Sequence, residues 1–138
     1  MSVFTEQELA YFHPEPEERH LGRLATVGPD GMPHVAPVGW SHNPDHDTID
    51  IGGRELESTR KYRDARKTGR AAIVIDDVLP PWKPRGIEVR GRAEVVEHPV
   101  PLIRIHPRRI VSWGIEDDTI GKRFARTVDS ATAPEGDS

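Results

Sequence analysis

The chain has 138 residues, a formal charge of −4 and no cysteine. This length predicts one domain with its own hydrophobic core. The lack of cysteine excludes disulfides, thiolate catalysis and cysteine-based metal centres. No apolar run reaches the roughly 20 residues of a membrane-spanning helix, and no signal-peptide pattern precedes the fold. The default expectation is therefore a cytoplasmic protein without a membrane partner.

Proline and glycine are frequent, with 13 and 12 residues. Such a composition favours a turn-rich β protein over a helical bundle. The basic residues are concentrated on one predicted helix, whereas a nucleic-acid-binding domain is normally basic as a whole. This local patch suits a small anion better than a nucleic acid.

Hydrophobic periodicity and turn residues predict about six strands, one short N-terminal helix and one internal basic helix. The clearest signal is the strand over residues 86–96, where apolar and charged residues alternate. Proline at position 37 predicts an edge strand or a bulge. The predicted strands are 21–27, 34–40, 48–51, 71–75, 86–96, 102–105 and 109–112, the first helix is 5–12, and the loops include 41–47 and 78–85.

These elements predict a small antiparallel barrel, because closure removes the sheet edges. A barrel of this size fills its interior with side chains. A sizeable ligand must then lie on the outer surface, against a second subunit. Residues 1–125 are predicted to form this single domain, and residues 126–138 are polar and predicted to be a disordered tail.

The basic helix begins near Ser58 and Thr59, whose hydroxyls can cap free backbone N–H groups. Arg60 and Lys61 follow at once, after a flexible approach through Gly53. A helix N-terminus with hydroxyls and two cations is typical of a phosphate site. The alternative is a solvated face with helical ion pairs of Glu57 with Lys61 and of Arg60 with Asp64. The local pattern leaves both interpretations open.

Other motifs carry little chemistry. His42 and His46 stand near two aspartates, but Pro44 places them in a loop, so the helical spacing of metal ligands does not apply. We therefore predict no metal site. His106 is expected to be structural or exposed. The chain contains no nucleophile elbow, Walker loop or dinucleotide-binding glycine motif.

Several blocks resemble, in the same order, the pyridoxamine 5'-phosphate oxidase-like split β-barrel superfamily. Within it the chain is most similar to small proteins classed as deazaflavin (coenzyme F420)-dependent oxidoreductases. The resemblance covers residues 21–115 and implies a mainly β fold, a six-stranded antiparallel split β-barrel of the FMN-binding type with short peripheral helices. The blocks are 22–38, Gly52-Gly53-Arg54, Thr59-Arg60-Lys61-Tyr62, 85–91, 103–107 and 111–114.

The resemblance implies a homodimer with two cofactor sites at the subunit interface. The implied cofactor is F420, with FMN as the alternative because both carry a phosphate. The implied reaction is hydride transfer to a small organic substrate, which needs few protein acids or bases, and no catalytic residue is assigned. The implied cofactor-binding residues are Pro37, Val38 and Gly39 beside the ring, and Gly53, Arg54, Ser58, Thr59, Arg60 and Lys61 around the phosphate and acidic tail.

Trp113 is expected to lie against the ring or the substrate, or else to be packed in the core or an interface. The chain is too short for the C-terminal segment of pyridoxamine 5'-phosphate oxidase itself. Arg104 and His106 imitate an Arg-x-His element of that enzyme, but Pro107 follows, as in the deazaflavin type. A pyridoxal-phosphate role is therefore not expected. The remaining alternatives are an FMN-dependent reductase or oxidase, a non-catalytic flavin or deazaflavin carrier, and a haem binder.

Overall fold

A computed structural model describes residues 1–117 and 119–129. Within these residues the chain forms two α-helices, a 3-10 turn and eight strands. No helix among them is long and apolar enough to cross a membrane. The elements are α1 Glu6–Phe12, β1 Gly22–Val27, β2 Pro33–Val38, β3 Trp40–Asn43, β4 Thr48–Ile51, the 3-10 turn Leu56–Ser58, α2 Arg60–Thr68, β5 Arg70–Leu79, β6 Lys83–Val96, β7 Leu102–Trp113 and β8 Arg123–Thr127.

The strands form one antiparallel sheet in the order β2-β1-β5-β6-β7-β4-β3, and β8 also pairs with β7. The two ends of this order, β2 and β3, are consecutive in the chain and are separated only by Gly39. The sheet must therefore curl until its edges approach each other, and the resulting barrel stays open between β2 and β3. This confirms the mainly β split-barrel prediction, although the described residues form eight strands instead of the expected six. It also confirms that Pro37 lies in an edge strand.

The core lies inside the curl and is built from alternate residues of the central strands. Ile75 stands opposite Ile87, and Ile103 stands opposite Ile51. These four isoleucines are completely buried. Full burial of such a side chain stabilises the fold by about 1.5–3 kcal/mol. The interior is therefore filled with apolar side chains, and ligand sites are restricted to the outside.

The β6–β7 ladder departs from the prediction of two short C-terminal strands. β7 is one strand of 12 residues, and it continues through Pro107. The register shifts between Arg90 and Gly91, and this bulge places Gly91 opposite Pro107. The two strands are so close here that a side chain at Gly91 would collide with the carbonyl oxygen of His106. Bulges of this kind are among the few places where a sheet tolerates proline.

Three further sequence predictions are wrong in their boundaries. The predicted strand 34–40 ends at Val38, and residues 41–43 of the predicted loop 41–47 belong with Trp40 to β3, because they pair with β4. The proline-rich segment 78–85 is mostly paired, since Val78 stands opposite Pro84 near the tip of the β5–β6 hairpin. Residues 126 and 127 belong to β8, so ordered structure passes the expected start of the tail. Residues 130–138 of that tail lie outside the described part of the chain.

Candidate functional site

A cleft lies between the first turn of α2 and one face of the β1–β2 hairpin. In this hairpin Leu24 pairs with Ala36 and Thr26 pairs with His34, so these four side chains share a face of the sheet. The cleft has a volume of about 200 Å³, which suits a phosphate group and is below the usual size of a whole-cofactor pocket. Its lining residues are Leu24, Thr26, His34, Val35, Ala36, Thr59, Arg60 and Lys61.

The start of α2 is held in place by its cap and by one aromatic anchor. The Thr59 hydroxyl accepts a hydrogen bond from the Tyr62 N–H at 3.4 Å and donates one to the Leu56 carbonyl at 2.6 Å. Tyr62 is buried, and its hydroxyl donates to the Val96 carbonyl at 3.3 Å. The buried anchor leaves Arg60 and Lys61 on the cleft side, where the helix dipole already favours an anion.

A hydrogen-bonded chain crosses the floor of the cleft and orients Arg60. Buried Asp64 accepts from the Thr26 hydroxyl at 2.9 Å, and its other partner is His34 Nδ1 at 3.0 Å. Arg60 Nη1 lies 3.2 Å from His34 Nε2. A guanidinium can only donate, so Nε2 accepts and the proton of a neutral His34 sits on Nδ1, facing Asp64.

Neither of the two helical ion pairs of the solvated-face interpretation is formed within the described residues. Asp64 is bound to Thr26 and His34 instead of Arg60, and Lys61 has no carboxylate partner there. Among the residues that the structure describes, the two cations of the cleft, Arg60 and Lys61, therefore form no ion pair. His34 was missed by the sequence analysis, although its place directly after the hairpin turn and opposite Thr26 could have indicated it.

The other predicted site residues do not line this cleft. Ser58 belongs to the 3-10 turn, and its hydroxyl donates to the Glu55 carbonyl at 2.8 Å. Gly53 and Arg54 are exposed in the turn after β4. Trp113 ends β7, where the Arg123 guanidinium lies 4.9 Å from its ring centroid. It is not brought near α2 within this chain.

Pro37, Val38 and Gly39 occupy the end of β2 and the opening of the barrel. Val38 is buried in the core, and Pro37 is exposed. Gly39 lines a second, larger cavity of about 620 Å³ between β3 and the segment after α1. One strand thus connects the small basic cleft to a cavity large enough for an organic molecule.

Arg104 and His106, the Arg-x-His element of β7, form contacts with neighbouring strands of the sheet. Arg104 donates two hydrogen bonds to the Asp50 carboxylate, at 3.0 and 3.2 Å. Burial acts to raise the pKa of Asp50, but the hydrogen bonds from Arg104, Asn43 and Thr48 outweigh it and hold that pKa below its usual range. His106 is buried beside Glu94 at 2.8 Å. No group of three His, Asp or Glu side chains in the described residues is arranged to hold a metal ion.

Comparison with known proteins identifies the family of this chain. Residues 6–123 match the pyridoxamine 5'-phosphate oxidase family. The chain is 38% identical, over 144 residues and 96% of both chains, to a 5a,11a-dehydrotetracycline/5a,11a-dehydrooxytetracycline reductase of Streptomyces rimosus. The fold and the sequence together place this chain among the split β-barrel proteins. It belongs to the pyridoxamine 5'-phosphate oxidase family, which is named for an oxidoreductase.

Solved structures show the same fold. A conserved hypothetical protein of Mycobacterium tuberculosis is 25% identical, with 96% of each chain covered and a TM-score of 0.66. An F420 reductase is 20% identical, with 73% of this chain and 94% of that chain covered and a TM-score of 0.55. An FAD-binding protein of Mycobacterium smegmatis is 18% identical, with 91% and 100% covered and a TM-score of 0.59.

Proposed function

We propose that this protein is an F420-dependent oxidoreductase that transfers a hydride between the deazaflavin and a small organic substrate. The observation that carries the proposal is the cleft at the start of α2, where Arg60 and Lys61 meet a capped helix N-terminus without a carboxylate partner among the described residues. Such a site on an acidic protein favours an anionic group. The name of the Streptomyces relative supports a reductase that acts on a small organic molecule.

The residues fit such a cofactor in two parts. Thr59, Arg60 and Lys61 would hold the phosphate in the small cleft, and exposed Arg54 would attract the acidic tail. The cleft is too small for a tricyclic ring, so the ring would lie toward Pro37 and Gly39, near the larger cavity. The bound deazaflavin supplies hydride chemistry, and the protein supplies orientation and a surface that admits the substrate.

A homodimer is part of the proposal, because a short apolar row crosses one outer face of the barrel. Val35, Ala25 and Ala72 are neighbours in the register of β2, β1 and β5, and they face away from the core. Val35 is 70% exposed. A second copy of the chain would cover this row and would bring its own residues, such as Trp113, toward the cofactor. The cytoplasmic location stays a prediction.

Side-by-side titration of the purified protein with F420 and FMN tests the cofactor assignment. We expect F420 to bind more tightly, because its acidic tail adds contacts with the basic surface. An FMN-dependent reductase or oxidase is the alternative, since FMN offers the same phosphate to Lys61. Tighter binding of FMN would favour that alternative.

Oxidation of reduced F420 in the presence of a panel of acceptors separates an enzyme from a carrier. An oxidoreductase consumes reduced F420 only when an acceptor is present, and it forms reduced product in equal amount. A carrier binds F420 with the same affinity but leaves its absorbance constant with every acceptor. That second outcome would overturn the enzymatic part of the proposal.

A further inference from the structure

We propose that His13, supported by His42 and Asp47, donates a proton to the substrate in the larger cavity. The proposal rests on the proposed reductase function. Asp47 Oδ1 lies 3.1 Å from His42 Nε2, and His42 Nδ1 lies 3.1 Å from His13 Nε2. The three side chains form a continuous chain that leads from the β3–β4 turn to the cavity wall, which His13 and His42 line.

Asp47 is fixed as the charged end of this chain. Its carboxylate accepts from the Ser2 hydroxyl and from the Val3 N–H, both at 2.7 Å. Burial acts to raise its pKa, but these two hydrogen bonds and the one from His42 hold the pKa of Asp47 below its usual range. An ionised carboxylate can only accept, so His42 carries a proton on Nε2.

His42 is held in one orientation. Its side chain is buried, and its ring lies 5.4 Å from the ring of Phe4 and 5.7 Å from that of Phe12. With a proton on Nε2, the Nδ1 atom of neutral His42 accepts a hydrogen bond, and the donor is His13 Nε2. His42 and Asp47 are therefore positioning residues for His13.

His13 is exposed at the end of α1. Its second ring nitrogen, Nδ1, forms no hydrogen bond with the described residues and is the atom left to exchange a proton with a ligand. When His13 is doubly protonated, its charge is balanced by Asp47 through His42. The other charged or titratable residues that line this cavity are Glu15, Glu17, Glu18, Arg19 and His20.

The position of the cavity agrees with this role. Ala36 lines the basic cleft and Gly39 lines the larger cavity, three residues further along the chain. At about 3.3 Å per extended residue, these two lining residues are about 10 Å apart. A cofactor with its phosphate at Lys61 can therefore present its ring beside the cavity that contains His13.

The Streptomyces relative is named as a reductase of 5a,11a-dehydro compounds, which points to an alkene, here one conjugated to a carbonyl group, as the substrate class. The bound deazaflavin or flavin would supply a hydride to one alkene carbon of such an acceptor and would itself be oxidised. The π electron pair of the alkene moves to the carbonyl oxygen and gives an enolate. His13 then donates its Nδ1 proton to the other alkene carbon, so an N–H bond breaks, a C–H bond forms and the carbonyl is restored. Water returns the proton to His13 before the next turnover.

The test compares the wild type with His13→Gln, and uses His46→Gln as the matched control because His46 is exposed and lies outside the cavity. Turnover is measured against pH with reduced F420 and cyclohexenone, and F420 affinity is measured separately. We expect His13→Gln to lower kcat by roughly 100-fold or more. The decrease of kcat at high pH that the wild type shows should be absent from this variant, and its dissociation constant for F420 should equal that of the wild type. If kcat of His13→Gln stays within about twofold of the wild-type value at every pH, the proposal is overturned.

Nitrogen-15 NMR of the imidazole rings gives a second readout in the protein without cofactor. We expect the proton of His42 to be on Nε2. We also expect its Nδ1 to accept a hydrogen bond, so that the nitrogen-15 chemical shift of Nδ1 changes in His13→Gln. A proton on Nδ1 of neutral His42 would overturn the relay. If the wild type consumes no reduced F420 or reduced FMN with any acceptor, the proposed function fails and the relay with it. If the wild type is active and His13→Gln is equally active, only the proposed role of His13 is overturned, and the proposed reductase function stands.

Discussion

At the scale of single residues, Lys61 is the most direct test of the phosphate assignment. It is half-buried in the basic cleft and has no carboxylate partner among the described residues. We expect Lys61→Ala to weaken cofactor binding by about 1.5–3 kcal/mol, the range for charge-assisted hydrogen bonds. Isothermal titration calorimetry measures the change, and Lys67→Ala, in the exposed last turn of the same helix, is the control. An unchanged dissociation constant for Lys61→Ala would remove the assignment.

His34 lies between buried Asp64 and Arg60, which makes His34 and Arg60 a coupled pair. The His34 ring connects buried Asp64 to the Arg60 guanidinium. We expect His34→Ala and Arg60→Ala each to weaken cofactor binding, with the double variant losing less than the sum by about 0.5–3 kcal/mol. Strict additivity of the two losses in a double-mutant cycle would show that His34 does not orient Arg60.

At the scale of the elements, the buried Asp50–Arg104 pair joins β4 to β7. The side chains of Asp50 and Arg104 are 7% and 14% exposed, so removal of the arginine strands a buried carboxylate. We expect Arg104→Ala to lower the free energy of unfolding by about 3–5 kcal/mol. Arg90→Ala, which breaks an ion pair whose arginine is 53% exposed, is the control and should cost at most about 1 kcal/mol. Equal losses in urea denaturation would contradict this difference.

His106 gives the β6–β7 ladder a pH dependence. Burial lowers the pKa of His106 below its ordinary value of 6.5, although the hydrogen bond with Glu94 opposes this shift. Below pH 6.5 the unfolded chain therefore takes up a proton that the folded chain resists, and stability falls as the pH decreases through that window. We expect His106→Gln to flatten the loss of stability between pH 7 and pH 5. A slope unchanged from that of the wild type, with His98→Gln as an exposed control, would contradict the role of His106.

At the scale of the whole molecule, the apolar outer row around Val35 is the proposed contact between two copies of the chain. We expect Val35→Asp to shift the protein toward the monomer and to weaken cofactor binding as well, because the site is proposed to lie at the interface. Sedimentation velocity measures the oligomeric state. The control is Val100→Asp, at a residue that is 56% exposed in the β6–β7 connection. A wild-type monomer that binds cofactor would end the interface proposal.

Much of the fold was predictable because local patterns agree with it. Gly28 to Gly31 form the hairpin turn, Thr5 caps α1, and the alternation in β6 matches its burial. The errors fell where tertiary pairing overrides local preference. Residues 41–43 are polar but pair with β4, and Pro107 stays within β7 because the register shifts at Gly91. The local sequence does not show that residues 41–43 pair with β4, or that Gly91 lies opposite Pro107.

The amino-acid sequence by itself determined the class of fold, the cap of α2 and the cations Arg60 and Lys61, since all of these depend on neighbours within a few residues. Only the tertiary structure decided that His34 and Thr26 lie beside those cations, because strand register brings together residues that are distant in the chain. It also separated Trp113 from the cleft and joined His13, His42 and Asp47 into one chain. Hydrogen bonds are directional and short, so contacts of this kind exist only once the barrel has curled.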